Sequence, residues 1–568
     1  MKRRTLKWVN IALYIAILAL LFTGIEATAQ STASAKAPIH FVIGSSEVQL
    51  DTPTDKYWPN DAAKEIFRQT GITFDIQGMD NDKFKVLIAG GNLPEIILTW
   101  SPLFNKQLLE SGQLLPLDSL LKTNGPDILK YSPERVPLSK KFDSDSSGQL
   151  YFIAGSGGQY PPPFKAWAGY KVRWQYYKEL GYPAIKDELQ FLDVLKAMQK
   201  KHPLTAEGKK VYGVGYSNEY QDGLWHYTCE GLRTGYFYYN TNECVISLKD
   251  NVMIPNFYGD DNAPWWVTMK FLYKANQMGL LDPDSFTMKT PEYQVKMTAG
   301  QYLSDISDIF TSGYDSTALQ KDPNTLDNFE NIPVVGSSVG WDNQDVIISS
   351  YRLAITKNCK NPERAMDLIN AFSNPDLVRV ALSGVKGVNW DIINGKAQLL
   401  PDTLKNLNNQ EFIKKAGIGY FIVLTLRGGE KHPDGQYMDL KASEQVFTQR
   451  LSPADKDFCN YYKVKYPMQA IDNLLRAGKM TDASTCKTTN FINLMPTPPD
   501  DIQRMQTKIV DIVLKGIPRM ALAKNDADFD AIKKDVRAQL KAAGAEKSVN
   551  WWLTEYKKIM DQVKQSMQ

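Results

Sequence analysis

Between Ile39 and Trp100 the apolar positions change spacing in a fixed order. Ile39 to Ile43 reads as a short strand. Asp61 to Thr70 repeats apolar residues at helical spacing and stops at Gly71, and Ile72 to Ile76 alternates with period two. Val86, Leu87 and Ile88 close a second apolar helical pattern begun near Phe84. Gly90 and Gly91 permit the left-handed backbone of a helix end, and Pro94 forbids continuation. Ile96-Ile-Leu98 is then a continuous apolar run, the pattern of a strand covered on both faces by helices. This predicts a β-α-β-α-β opening, with Trp100 and Ser101 past the carboxyl end of its third strand, where open α/β sheets bind ligands.

The alternation continues beyond it. Asp143-Ser-Asp-Ser-Ser-Gly148 predicts a polar turn into a strand over Gln149 to Ile153, followed by a Gly/Pro cluster at Gly155 to Pro163 that suits a crossing between lobes. Helices are predicted over Arg173 to Leu180, Leu189 to Lys200, Trp265 to Met278 and Asn361 to Phe372, with a strand of close backbone approach at Val211 to Gly215. Asp305 to Phe310 and Asp345 to Ile355 read as segments returning to the first lobe, and Phe412 to Leu426 as a buried apolar stretch. Crossings are expected near residues 155 to 163, 290 to 305 and 353 to 360.

Several segments, in order along the chain, carry a resemblance. They are Gly91-Asn-Leu-Pro94 between helix and strand, Gly148-Gln-Leu-Tyr-Phe-Ile-Ala154, Tyr170-Lys-Val-Arg-Trp-Gln-Tyr-Tyr-Lys-Glu-Leu-Gly181, Phe271 to Pro283, Asn361 to Asn370 and Gly384-Val-Lys-Gly-Val-Asn-Trp390. Together they resemble the family 1 extracellular solute-binding proteins, the capture subunits of ABC importers, and the helical pattern from Phe529 resembles the large subgroup of that family. The resemblance implies a two-lobed α/β fold, each lobe a mostly parallel sheet flanked by helices, with additional C-terminal helices. It also implies a sugar or oligosaccharide ligand held between the lobes, permease subunits as partners, a monomer and no cofactor. The domain expectation is residues 39–155 plus 305–355 for lobe 1, and 156–304 plus 356–568 for lobe 2 with its helical extension.

The 568 residues are 43% hydrophobic and 11% aromatic, enough for more than one large core. Lys2, Arg3, Arg4 and Lys7 precede the uncharged run Ile11 to Phe22, and Ala27-Thr-Ala29 offers a small-x-small cleavage site, so residues 1–29 read as an export signal and 30–38 as a flexible leader. Members from Gram-positive bacteria carry a lipidated Cys after the apolar run. Here Gly24 is followed by Ile25, so release after Ala29 or tethering by an uncleaved segment is expected instead. The signal holds four of the 66 basic residues and one of the 63 acidic ones, which leaves the rest formally balanced. Interleaved, balanced charge argues against a nucleic-acid partner. The Cys are at 229, 244, 359, 459 and 486, with 229–244 and 459–486 as conceivable pairs and buried thiols as the alternative.

Saccharides present C–H faces that pack on aromatic rings and hydroxyls that need planar polar partners. The candidates for this role are Trp100, Trp167, the Asp222 and Trp225 loop, Trp265 at a helix start, and two indole–carboxylate pairs, Trp341 with Asp342 and Trp390 with Asp391. Each ring alone is equally an ordinary packing residue. Trp341 and Trp390 stand out because Gly, Asn and Asp surround them. Asp143 to Gly148 has half of a calcium loop but Ala154 at the twelfth position, which suits a polar turn better, and no His-x-x-x-His spacing or other metal motif occurs. Neither a Gly-x-Ser-x-Gly elbow nor a phosphate-binding loop is present, and no carboxylate pair is singled out for glycoside hydrolysis. A binding protein is therefore expected, with a sensor presenting its closed form, or less readily a polysaccharide-processing enzyme, as the alternatives.

Overall fold

The computed structural model describes residues 37–46, 60–99, 101–144, 147–155, 166–217, 225–238, 243–260, 263–305, 311–341, 351–426, 431–482 and 495–566. The signal segment, Trp100, Asp222, Asp342 and Cys486 lie outside them. In lobe 1, β1 (Ile39–Ser45), β2 (Ile72–Gly78) and β3 (Ile96–Thr99) run parallel, with β1 between the other two. β4 (Ile153–Ala154) ends the first pass through this lobe. The helices between these strands begin and end as their sequence dictates: Asn60 and Asp80 accept from the backbone N–H of Ala63 and Lys83, and Gly71 and Gly91 close the helices at φ 67° and 70°.

Lobe 2 follows with β5 (Ala166–Ala168), β6 (Tyr170–Arg173), and a meander of β7 (Tyr236–Tyr238), β8 (Cys244–Ser247) and β9 (Val252–Pro255). β10 (Phe329–Ile332) pairs antiparallel with β6, and β11 (Ser338–Trp341) antiparallel with β5. The chain then returns to lobe 1 as β12 (Arg352–Ile355), which inserts antiparallel between β3 and β4 and completes the sheet order β2-β1-β3-β12-β4. The hairpin β13 (Trp390–Ile393) and β14 (Lys396–Leu399) belongs to this return, and β15 (Thr481–Asp482) joins β11 in lobe 2.

Along β3, Ile96 and Leu98 enter one hydrophobic cluster with Phe41, Phe74, Leu353 and Phe421, while Ile97 enters another with Phe84, Phe104 and Phe152. All three residues are fully buried, as the continuous apolar run requires. The parallel core of lobe 2 is reduced to single bridges, Tyr212 with Tyr302 and Val214 with Leu281, supported by Ser304 N–H to Gly213 O at 3.0 Å. Gly215 is needed there, since a Cβ would lie 2.4 Å from the Tyr302 ring.

Segment membership differs from the expectation at two places. Residues 311–341 belong with lobe 2, because β10 and β11 take their pairs from β6 and β5. Residues 356–426 stay in lobe 1, where Met366, Ile369, Phe372, Phe421 and Leu424 fill the core on the β1 to β3 sheet. Along the chain β4 of lobe 1 is followed by β5 of lobe 2, β11 of lobe 2 by β12 of lobe 1, and the Pro453–Tyr462 helix is back against lobe 2, where its Asp457 accepts from Trp174 Nε1 at 2.9 Å. The carbonyls of Ala154 and Gly155 at the first crossing both accept from buried Arg135, at 3.0 Å each.

Three C-terminal helices, Asp500–Ala521, Asp526–Ala542 and Ala545–Ser566, cover lobe 2. The first packs on the Pro264–Gln277 helix. The last also reaches lobe 1, where Ile559 and Val563 cluster with Leu138 and the Gln562 carbonyl accepts from Lys141 at 3.3 Å. Cys229, Cys244, Cys359 and Cys459 are buried thiols, so the conceivable 229–244 bridge is absent. Burial in apolar surroundings raises the thiol of Cys359 to about 11 and that of Cys459 to about 12, which leaves both unreactive near neutrality.

Candidate ligand-binding site

On lobe 1 the carboxyl ends of the parallel strands carry small hydroxyl residues. β1 ends at Ser45 and Ser46, both buried, and Ser46 Oγ donates to Thr99 Oγ1 across to β3 at 3.4 Å. Thr99 Oγ1 also accepts from the Ser101 N–H at 3.2 Å, and Ser101 Oγ caps the Pro102–Glu110 helix. One turn into that helix, buried Asn105 has an Oδ1 with no hydrogen-bond partner among the described residues. Hydroxyl and amide groups thus gather at the carboxyl ends of β1 and β3.

Lobe 2 ends its parallel segments in the same way. Ser217 follows the Val211–Tyr216 segment and shares a 2.9 Å hydrogen bond with Thr290, while Asp305 follows the Tyr302–Ser304 segment and accepts from Tyr293 OH at 3.2 Å. Buried Lys171 of β6 donates to Thr311 Oγ1 at 3.3 Å. Beside this polar rim, β11 pairs with β5 so that Trp341 stands opposite Ala166, next to Trp167, and the Trp225–Arg233 helix packs against both strands. The elements carrying Trp167, Trp225 and Trp341 therefore meet in lobe 2, although the three residues are far apart in sequence.

That helix is held from below by buried charge. Arg233 is fully buried, pairs with Glu188 at 2.6 Å and with Glu230, and lies over the rings of Tyr170, Phe191 and Phe271 at 4.6, 4.7 and 5.3 Å. Burial pushes the Glu230 carboxyl well above the usual range, with Arg233 pulling against it. Tyr216 and Tyr227 stack at 5.6 Å in the same layer.

Two of the sequence candidates are packing residues instead. Trp265 is 1% exposed, edge-on to Tyr227 at 5.7 Å and to Phe257 at 6.5 Å. Pro264 opens the helix, and both Trp265 and Trp266 are buried in it. Trp390 is 8% exposed, its Nε1 donates to Gly384 O at 2.9 Å, and the Arg379 guanidinium lies 5.2 Å from the ring. Its N–H and surface are committed to Gly384 and to the cluster of Ala397, Leu399, Leu440 and Val446, and Asp391 is turned to its own backbone, accepting from Ile392 N–H at 2.7 Å. Asp143, first residue of the half calcium loop, accepts from buried Arg352 at 2.6 Å, so it serves as an ion-pair partner. The polar rim of Ser46, Thr99, Asn105, Ser217, Lys171 and Asp305 was missed. The signal available was position, since most of these residues stand at the ends of predicted strands.

Residues 51–378 match the family described as bacterial extracellular solute-binding protein, more than half of the chain. The chain belongs to this family. A search of curated proteins returned no match. Among solved structures, this solute-binding protein is similar to an HMO-binding, ABC-transporter-associated solute-binding protein from Bifidobacterium longum infantis ATCC 15697, with TM-score 0.57 and 15% identity over 92% of this chain and 99% of that one. It is similar also to the Streptococcus pneumoniae substrate-binding protein FusA in complex with kestose, at TM-score 0.57 and 14% identity over 92% and 100%. A third likeness is to the N-glycan transport solute-binding protein NgtS of Streptococcus pneumoniae, at TM-score 0.53 and 16% identity over 93% and 99%. At these identities the likeness shows the two-lobed fold over nearly the full length of each chain.

Proposed function

We propose that this solute-binding protein is exported, takes up an oligosaccharide between its lobes, and delivers it as a monomer to ABC permease subunits without chemical turnover. The observation that carries the reading is the joint arrangement in lobe 2, where three Trp-bearing elements converge in the lobe whose segment ends carry Ser217 and Asp305, with Thr290 and the buried Lys171–Thr311 pair. Indole faces remove the apolar faces of a sugar from water, and hydroxyl and carboxylate groups take its hydroxyls. Support comes from the structural relatives described above, whose names give an HMO, kestose and N-glycan as what they bind or transport.

Closure of the lobes around the ligand forms the surface that a permease recognises. Thermal unfolding of the purified chain against a panel of mono- and oligosaccharides tests the binding step. A ligand at 100 times its Kd adds about 2.7 kcal/mol to the folded state and raises the midpoint. A rise with oligosaccharides that is lost in Trp341→Ala and Trp167→Ala is expected. Silence across the panel, or a shift that survives both substitutions, overturns the assignment of ligand or of cleft.

A further inference from the structure

Far along the chain from these Trp-bearing strands, the Glu188–Lys201 helix of lobe 2 ends in Lys200 and Lys201, and the next turn folds a second pair, Lys209 and Lys210, back beside the first. The turn is well built. Leu204 bridges Lys210, Thr205 N–H donates to Lys209 O at 2.7 Å, Val211 N–H donates to Pro203 O at 2.9 Å, and Gly208 takes φ 74°. Lys196, one turn earlier on the helix, joins the group and donates to the Met278 carbonyl at 2.7 Å. All five lysines are exposed, and none of them forms an ion pair among the described residues.

Of the nearby carboxylates, Asp193 lies one turn before Lys196 on the helix, and the other two have partners other than these lysines. Glu179 holds His202 at 2.7 Å, and Glu207 is held by its own turn and faces Lys321 at 3.9 Å. In a chain of interleaved and nearly balanced charge, this is a concentrated basic surface. It also surrounds something apolar. A concavity of about 470 Å³ is lined by Lys196, Lys200 and Lys210 together with Pro203, Leu204 and Val211, and Leu204 is 56% exposed.

We infer that this surface seats on an anionic phospholipid bilayer, with the lysines over the phosphate headgroups and Leu204 entering the interface. The inference is independent of the sugar reading. A polyanion alone would account for the lysines but gives no use to an exposed Leu204 at their centre, whereas a bilayer interface takes both. Such seating would hold the protein at a membrane surface by electrostatics and one apolar contact.

The test is co-sedimentation of the full chain with vesicles of phosphatidylcholine alone and of phosphatidylcholine mixed with phosphatidylglycerol. Binding to the mixed vesicles is expected, falling as the Debye length shrinks from about 10 Å at 0.1 M salt to about 3 Å at 1 M. Lys200→Glu with Lys210→Glu should weaken it about tenfold or more, and Lys200→Arg with Lys210→Arg should retain it. Leu204→Ser should weaken it about threefold at unchanged charge. The thermal midpoint of each variant, unchanged from the parent, establishes that the fold is intact. No binding, equal binding to both vesicles, indifference to Leu204→Ser, or binding to polyphosphate in place of vesicles would each overturn the proposal.

Discussion

Gly340-Trp341-Asp342 and Asn389-Trp390-Asp391 are nearly the same peptide, yet lobe 2 and lobe 1 use them for different ends. Trp341 closes β11, whose pairing with β5 brings it beside Trp167 and the Trp225 helix, at the edge of a hydroxyl-rich rim. Trp390 opens a hairpin that packs Ala397 and Leu399 with it against Leu440 and Val446, and its N–H is spent on Gly384. What separates them is the partner strand. A long-range pairing sets the first among distant strands, whereas a two-residue turn pairs the second with its neighbour strand and turns the hairpin onto Leu440 and Val446. The largest expected effect follows. Trp390→Ala removes a buried indole and should cost about 3–5 kcal/mol in urea unfolding, with ligand affinity of the folded fraction unchanged. A loss of affinity without loss of stability would reverse the assignment.

The distinction was partly legible in the chain. Asn394-Gly395, between two runs of alternating pattern, is a hairpin signal, and both residues take positive φ, 53° and 74°. That signal identifies Trp390 as the start of a tight hairpin with a packed face. The β-α-β-α-β opening was readable for a related reason, since each of its elements is fixed by its own period, cap and stop residue. The placement of 311–341 in lobe 2 was not readable, because β10 and β11 are defined by pairing with strands more than 150 residues earlier. Nothing local distinguishes a strand that returns to the first sheet from one that stays with the second. Trp265 was misplaced because a helix start does not say which side of the helix is covered, and nearly all of the first turns of this one are buried.

Acidity separates the lobes as well. In lobe 2, Glu243 lies buried beneath the C-terminal layer, accepting from Ser548 Oγ at 2.5 Å, and desolvation pushes its carboxyl up to about 7. The folded state therefore holds this proton after the unfolded chain has lost it, so the stabilising contribution is complete below about pH 4.3 and is lost as pH rises through about 7. The loss is of order 3 kcal/mol, and Glu243→Gln should abolish this slope and stabilise the protein at pH 8, measured by unfolding at a series of pH values. A slope that persists in the variant would place the titration elsewhere. Smaller still is the expected cost of Trp341→Ala, about 2 kcal/mol in ligand affinity, or roughly thirtyfold, with little change in unfolding. Isothermal titration with the best oligosaccharide decides it, and an unchanged Kd would make Trp341 a packing residue like Trp390.

The smallest effect lies under Trp390 itself. Arg379, 1% exposed beside the indole, donates through Nη1 and Nη2 to both oxygens of Asp434, at 2.5 and 3.0 Å, and through Nη2 to Tyr437 O. The Arg379 fork, with the Gln436 N–H, holds the Asp434 carboxyl down to about 2. Because the folded value lies below the unfolded one, the pair stabilises the protein above about pH 4 and fails as pH falls toward 2. Asp434 remains partly exposed, so solvent screening brings its worth to about 1 kcal/mol. Asp434→Asn should therefore lower stability by that amount at pH 7 and by nothing at pH 2. The acid limb below pH 4 should flatten accordingly, while the neutral limb set by Glu243 stays in place. If both limbs move together, the two lobes unfold as one unit and the separation drawn between their Trp-Asp peptides is one of geometry without independent energetics.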